Sequence, residues 1–235
     1  MPKESRVAIV TGGTGALGSV VVARFMNNGI RTAIPFVTRG RGNSSAPEGA
    51  GGETYREAAD LRQEDDVKRF VSNVETRLGG VDILVNLAGG YVGGEAIGEV
   101  SLRTLDEAIS LNLRTAFLMC SAVLPGMRAG DHGRIVNVAA KPALTPAALR
   151  GPYSIAKRGV VTLTESIAEE VKGTGITANA IAPSIIDTPA NRASMPKANY
   201  ASWVPPGEIA ELILFLCSDH ARSISGNVVR IYGGV

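Results

Sequence analysis

The chain has 235 residues, 45% of them hydrophobic and 20% charged, with 24 basic residues against 22 acidic ones. A net charge of +2 is too balanced for a nucleic-acid partner, because neutralising phosphates takes a clustered excess of lysine and arginine. No apolar run reaches the roughly 18 residues of a membrane span, and the polar start MPKESRVAIV is not built like a secretory signal, so a small-molecule partner and a cytoplasmic setting are expected.

Short apolar runs alternate with longer helical patterns along the whole chain. Residues 6–10 (RVAIV) read as a buried strand, followed by a glycine turn and a helix over 16–28 that stops at Gly29. RTAIPFV is a second strand, weakened by Pro35, and 39–52 reads as loop. TYREAADL returns to a strand, 64–78 to a helix, and VDILVNLAGG to another buried strand. Residues 102–127 read as one long helix and GRIVNVAA as a strand. A helix over 153–172, the strand ITANAIAPS, a helix over 208–218 and the strand NVVRIYGG follow. Strands rich in Val and Ile without polar alternation suit a parallel sheet covered on both faces. The expected architecture is therefore one α/β domain over 1–235: a doubly wound, Rossmann-type parallel sheet of about seven strands.

The stretch TGGTGALG (11–18) directly follows the first strand and opens the first helix. Glycines there let the backbone turn sharply, and the helix N-terminus offers free N–H groups to a pyrophosphate. Gly12, Thr14, Gly15, Ala16, Leu17 and Gly18 are the candidate cofactor contacts. No Asp or Glu occurs from residue 30 to 47, where a carboxylate would hold the ribose of NAD; Thr38, Arg39 and Arg41 follow instead. This favours NADP over NAD, unless the arginines are only solvated loop charges. Asp60, beside Leu61, either accepts from an adenine amino group or caps a turn. Asn86, Ala88 and Gly89 end the fourth strand, where small residues leave room for a cofactor.

Cys120 and Cys217 sit in apolar helical patterns and read as buried thiols; His132 and His220 lie in polar turns. No metal site is expected. Tyr153 and Lys157 are four residues apart on a helix that follows the fifth strand, so both face the ligand crevice of such a sheet. A free tyrosine, with a pKa of about 10, is a sluggish acid at neutral pH, and a nearby ammonium draws it towards working range.

These motifs together resemble the short-chain dehydrogenase/reductase family over the whole chain. The resemblance rests on Thr11-Gly12 with Gly15 and Gly18, Asn86-x-Ala88-Gly89, Asn112, Tyr153-x-x-x-Lys157, and Ala182-Pro183 with Asp187-Thr188-Pro189. It implies that Tyr153 moves a proton as a nicotinamide moves a hydride, with Lys157 tuning the tyrosine and holding the ribose. It implies that Asn112 supports a water leading to the lysine, and that Pro183 and Thr188 touch the cofactor. The family usually has a serine thirteen residues before the tyrosine; here that residue is Ala140. Ala16 stands in the usual middle-glycine place and Leu87 where Asn is common. GTGALGS, AGGYVGG, AAKPAL and DTPANRASMPKANYASW are further similar to dihydropteridine reductases, a group that lacks the same serine. That likeness implies a quinonoid dihydropterin or similar conjugated acceptor, with Tyr91, Ala140 and Trp203 near the substrate. Trp203 either lies against a flat ring or wedges the loop onto the body. A general carbonyl or 3-oxoacyl reductase and a non-catalytic NAD(P)-binding sensor are the alternatives. The family likeness also implies a mobile lid over about 184–206 and a homodimer or homotetramer.

Overall fold

In the first strand, β1 (Val7–Thr11), every side chain is buried, and neighbours along it point into two different cores. Val7 and Ile9 join one with Phe70, Leu84, Val123 and Ile135; Ala8 and Val10 join the other with Phe25, Val85, Val136 and Ile213. A strand buried on both faces needs apolar residues at successive positions, and VAIV supplies them. The computed structural model describes residues 5–37 and 54–234.

After β1 come α1 (Ala16–Asn27), β2 (Arg31–Phe36), β3 (Thr54–Ala58), α2 (Glu64–Leu78) and β4 (Ile83–Asn86). The second half contains α3 (Leu102–Ile109), a π-helical turn (Ser110–Arg114), α4 (Thr115–Ala129), β5 (Gly133–Val138) and α5 (Lys141–Leu144). It closes with α6 (Gly151–Glu170), β6 (Ile176–Pro183), α7 (Pro189–Ser194), α8 (Pro206–Leu216) and β7 (Val228–Ile231). The seven strands form one parallel sheet in the order β3-β2-β1-β4-β5-β6-β7. Helices α1 and α8 cover one face; α2, α4 and α6 cover the other. The chain order reverses beside β1, which pairs β2 on one side and β4 on the other. In such sheets the ligand crevice opens at that reversal, at the carboxyl ends of the strands.

Three elements differ from the sequence reading. Pro35 lies inside β2, opposite Glu57 of β3, and burial of Thr32, Ala33 and Ile34 outweighs its missing N–H. The helix expected over 102–127 contains a π-turn at 110–114, fixed by long-range bonds described below. Helix α7 lies in the segment expected to be a lid, and α5 in a stretch to which the sequence reading gave no element. Residues 102–129 form the one helix among the described residues long and apolar enough to cross a membrane by length and composition. Here its α4 half packs on β4, β5 and α2, which accounts for its apolar content.

Candidate active site

The cofactor cradle is built from glycines with no room for a side chain. Gly12 has φ +67°, and a Cβ there would stand 3.1 Å from the Ala88 nitrogen. At Gly18 a Cβ would stand 2.1 Å from the Gly12 carbonyl oxygen. The backbone is thus folded so that the start of α1 reaches the end of β4. Gly15 caps α1 without a side-chain hydrogen bond, and no acidic residue occupies its first turn. The first N–H groups therefore remain free for an anion. Thr11 locks this arrangement: its Oγ1 accepts from Leu87 N (3.1 Å) and Ala88 N (3.0 Å).

A cleft of about 500 Å³ opens above this turn. Gly12, Thr14, Gly15, Ala16, Leu17 and Gly18 form its floor; Ala88, Gly89, Tyr91 and Ala140 line it with Tyr153, Lys157, Pro183 and Thr188. The uncapped helix end and the side-chain-free floor fit a dinucleotide. The free N–H groups of α1 would hold its pyrophosphate, and Lys157 its nicotinamide ribose. Such a cofactor supplies a hydride to the acceptor when bound.

Lys157 is buried, and its Nζ donates to the Val138 carbonyl at 2.7 Å. Its Nζ lies 6.0 Å from the centre of the Tyr153 ring. A Cβ at Gly89 would come 3.3 Å from that Nζ, so Gly89 leaves the lysine its place. Asn112, in the π-turn, donates to Gly90 O and Ala108 O at 3.0 Å and accepts from Gly90 N at 3.1 Å. It thereby clamps the strap after β4 against α3. A π-turn displaces one backbone step, which aims this amide sideways at the strap.

Burial pulls the Lys157 pKa down to about 8 and pushes the Tyr153 pKa up to about 12. Tyr153 is therefore a protonated phenol at neutral pH, the form that donates. Arg150 draws Tyr153 down against burial; Lys157, with its pKa near 8, has lost its own proton before the phenol ionises in the cofactor-free chain.

The lysine shift sets a pH signature. Folded Lys157 holds its proton less tightly than the unfolded chain does, so between pH 8 and about 10.5 the unfolded state binds more protons. Its burial destabilises the fold below pH 8, and this cost fades as pH rises. The wild type should therefore gain on the order of 2–3 kcal/mol relative to Lys157→Met between pH 7.5 and 10, read from denaturant melts of both proteins. The comparison cancels Cys120 and Cys217, whose burial raises both thiols to about 12. Parallel curves for the two proteins would show that Lys157 is not buried as described.

Ala140 lines the cleft, and neither Thr145 nor Lys141 joins it; Lys141 lies 5.2 Å over the Tyr232 ring. Ser154 is buried and lines a separate neighbouring cleft. Of the other polar side chains lining the cleft, Tyr91 donates to Leu149 O, Ser184 to Tyr232 O and Asn191 to Ile186 O, so these three are engaged elsewhere. Trp203 is only 4% exposed, stacks on Tyr200 with ring centres 4.8 Å apart, and does not line the cleft. Of its two readings the wedge is the one present in the cofactor-free chain, because the indole is buried against Tyr200 and away from the cleft. The loop expected to be a mobile lid is fastened at its base by Asp187 N–Val204 O and Val204 N–Ile185 O bonds, both 2.9 Å. Within it Arg192 pairs with Asp187 at 2.6 Å and covers the Tyr200 ring at 4.7 Å.

Asp60 and Leu61 stand outside the cleft. Asp60 accepts from its neighbour's backbone, Arg62 N, at 3.0 Å and pairs with the Arg62 guanidinium, which is the turn role. Leu61 is buried in the core. Asn86 is also buried; it donates to Asn137 Oδ1 (2.9 Å), and Asn137 donates to Thr164 Oγ1 (2.9 Å). This polar chain ties β4 and β5 to α6 beneath Lys157. Asn137 and the lock by Thr11 were missed in the sequence, where only the alternation break at Asn137 signals a polar core position. Thr38, Arg39 and Arg41 lie outside the described residues. Among the described residues no group of three His, Cys, Asp or Glu is placed to hold a metal.

Comparison with known proteins gives the same picture. Residues 6–199 match the family model described as short chain dehydrogenase. The chain is 30% identical to D-beta-hydroxybutyrate dehydrogenase of Cupriavidus necator, covering 98% of each chain. It is 29% identical to the 3-oxoacyl-acyl-carrier-protein reductase FabG of Thermotoga maritima, over 100% of this chain and 99% of that one. Among solved structures, a tryptophan variant of actinorhodin polyketide ketoreductase with NADPH superposes with a TM-score of 0.88. It is 28% identical and covers 98% of this chain and 97% of its own.

Proposed function

The chain belongs to the short-chain dehydrogenase family and is an NAD(P)-dependent oxidoreductase of the Rossmann type; from that premise we propose that it reduces an activated carbonyl, with NADPH preferred and Tyr153 as the proton donor. The observation that carries this reading is the cleft itself. Tyr153 and Lys157 share it with an uncapped helix N-terminus, while residue 140, an alanine, offers no hydroxyl and the Tyr91 hydroxyl is spent on the Leu149 carbonyl. A lone donor suits an acceptor whose carbon is already electron-poor, such as a 3-oxoacyl thioester or a quinone. One of the relatives above is named a 3-oxoacyl-acyl-carrier-protein reductase and another a polyketide ketoreductase, which supports trying the thioester class first. The preference for NADPH is supported by the missing carboxylate between residues 30 and 47.

In this mechanism Tyr153 donates its phenolic proton to the substrate oxygen as the carbon is reduced. The phenolate left behind is compensated by the charges of Lys157 and Arg150. Asn112 keeps the strap and the lysine in place. A quinonoid dihydropterin is a second reading, favoured by Ala140 and by the 187–203 segment; none of the relatives named above is a pterin enzyme. A silent NAD(P) sensor fits less well, because it has no use for a protonated Tyr153 in the cleft. The test is NADPH and NADH oxidation with an acetoacetyl thioester, a naphthoquinone and quinonoid dihydropterin. Turnover on the thioester or quinone with NADPH ahead of NADH supports the proposal. Tight NADPH binding without turnover on any acceptor overturns it in favour of the sensor. Phe117 on α4 and Ile155 on α6 are each 53% exposed, and we propose that they meet a second copy of the chain. Light scattering showing a dimer or tetramer supports this, and a monomer at working concentration removes it.

A further inference from the structure

Leu149 has φ +62°, one of two non-glycine residues with positive φ among those described. A leucine does not hold that conformation without support. The support is visible: its carbonyl accepts from Gly94 N at 2.8 Å and from the Tyr91 hydroxyl at 3.2 Å. Gly93 makes this approach possible, since a Cβ there would lie 3.3 Å from the Leu149 oxygen. The turn at Leu149 delivers Arg150 to the N-cap position of α6, three residues before Tyr153. The Arg150 guanidinium lies 5.9 Å over the Tyr91 ring, and that ring meets Tyr153 edge-on with centres 5.5 Å apart. Arg150 forms no ion pair with a carboxylate among the described residues; Glu95, on the same strap as Tyr91, is exposed and unpaired with it.

We propose that Arg150 is a positioning residue for the acid: fastened by Leu149 and Tyr91, it holds a positive charge beside Tyr153 and eases release of the phenolic proton. The inference rests on the reading of Tyr153 as proton donor and adds the group that tunes it. The other charged or titratable groups on the surrounding elements are Lys157 of α6, Tyr91 of the strap, Lys141 of α5 and the Asp187–Arg192 pair. Lys157 acts while it holds its proton, Lys141 lies over Tyr232, and Arg192 pairs with Asp187. Arg150 keeps its charge through the pH range in which Tyr153 ionises and favours the phenolate there. The cation over an aromatic face also keeps its charge at a fixed distance from the phenol.

The experiment is a carbon-13 tyrosine NMR titration of the cofactor-free protein to pH 11.5, with Tyr153 assigned through Tyr153→Phe. In the wild type the Tyr153 signal should move part of the way to its phenolate position. In Arg150→Gln that displacement should fall to half or less, and Arg150→Lys should retain most of it. Circular dichroism at each pH confirms that the variants stay folded; Arg150→Met serves if the glutamine variant does not. Equal displacement in wild type, Gln and Met variants overturns the proposal. Failure of the whole acceptor panel together with the expected NMR displacement would sink the function but not the role of Arg150.

Discussion

Tyr153→Phe should lower kcat by about a thousandfold and leave the Kd for NADPH within about twofold, since a positioned general acid contributes roughly 10²–10⁴ in rate. The ring of Phe keeps the edge-on contact with Tyr91 and removes only the hydroxyl. The loss should be larger here than in a site with a second hydroxyl, because Ala140 offers nothing to share the developing oxygen charge. The measurement is steady-state turnover beside calorimetric titration of NADPH. A variant that keeps a tenth of the wild-type kcat would mean that another group or water delivers the proton.

Gly18→Ala should be the single methyl most damaging to the cofactor cradle. Its Cβ would stand 2.1 Å from the Gly12 carbonyl oxygen and 2.7 Å from the Gly13 Cα, and both are backbone that cannot swing aside. The turn must open, which costs on the order of 1–3 kcal/mol of stability and misplaces the N–H groups meant for pyrophosphate. The expected result is a melting temperature lower by about 3–10 °C and a Kd for NADPH at least tenfold weaker. Gly98→Ala is the control, because a Cβ there meets nothing within 4 Å and no positive φ is involved. If Gly18→Ala binds NADPH like the wild type, the cradle is not where the cofactor lies.

The sheet and its motifs were legible because their signals are local. VAIV and ILVN read as strands buried on two faces since each residue has an apolar core to enter, and the structure supplies two cores. TGGTGALG was legible because a glycine turn between a strand and a helix has one steric purpose. Other features depend on contacts between distant segments. The π-turn exists because Asn112 reaches Gly90, twenty-two positions away, and no helical periodicity announces that. Pro35 argued against a strand locally, and tertiary burial overrode it. Trp203 offered two roles from composition alone; which one holds depends on how the folded chain buries the indole away from the cleft. Arg150 carries no motif of its own, and the left-handed Leu149 is what places it at the head of α6. Arg39 and Arg41 carry the cofactor preference in sequence and lie outside the described residues.

The account turns on one residue that is small. In the proposed mechanism Ala140 leaves the acceptor's oxygen to Tyr153, which would restrict the enzyme to acceptors that are already activated. Restoring a hydroxyl with Ala140→Ser tests this most directly, by comparing kcat/KM on a simple unactivated ketone and on an acetoacetyl thioester or naphthoquinone. Residue 140 already lines the cleft, so the added hydroxyl is placed beside Tyr153. The prediction is a gain of about tenfold or more on the unactivated ketone, set by one added donor to the developing oxyanion, and a change under about twofold on the activated acceptor. A wild type that already prefers the unactivated ketone, or a serine variant that gains nothing on it, would contradict the claim that Tyr153 works alone.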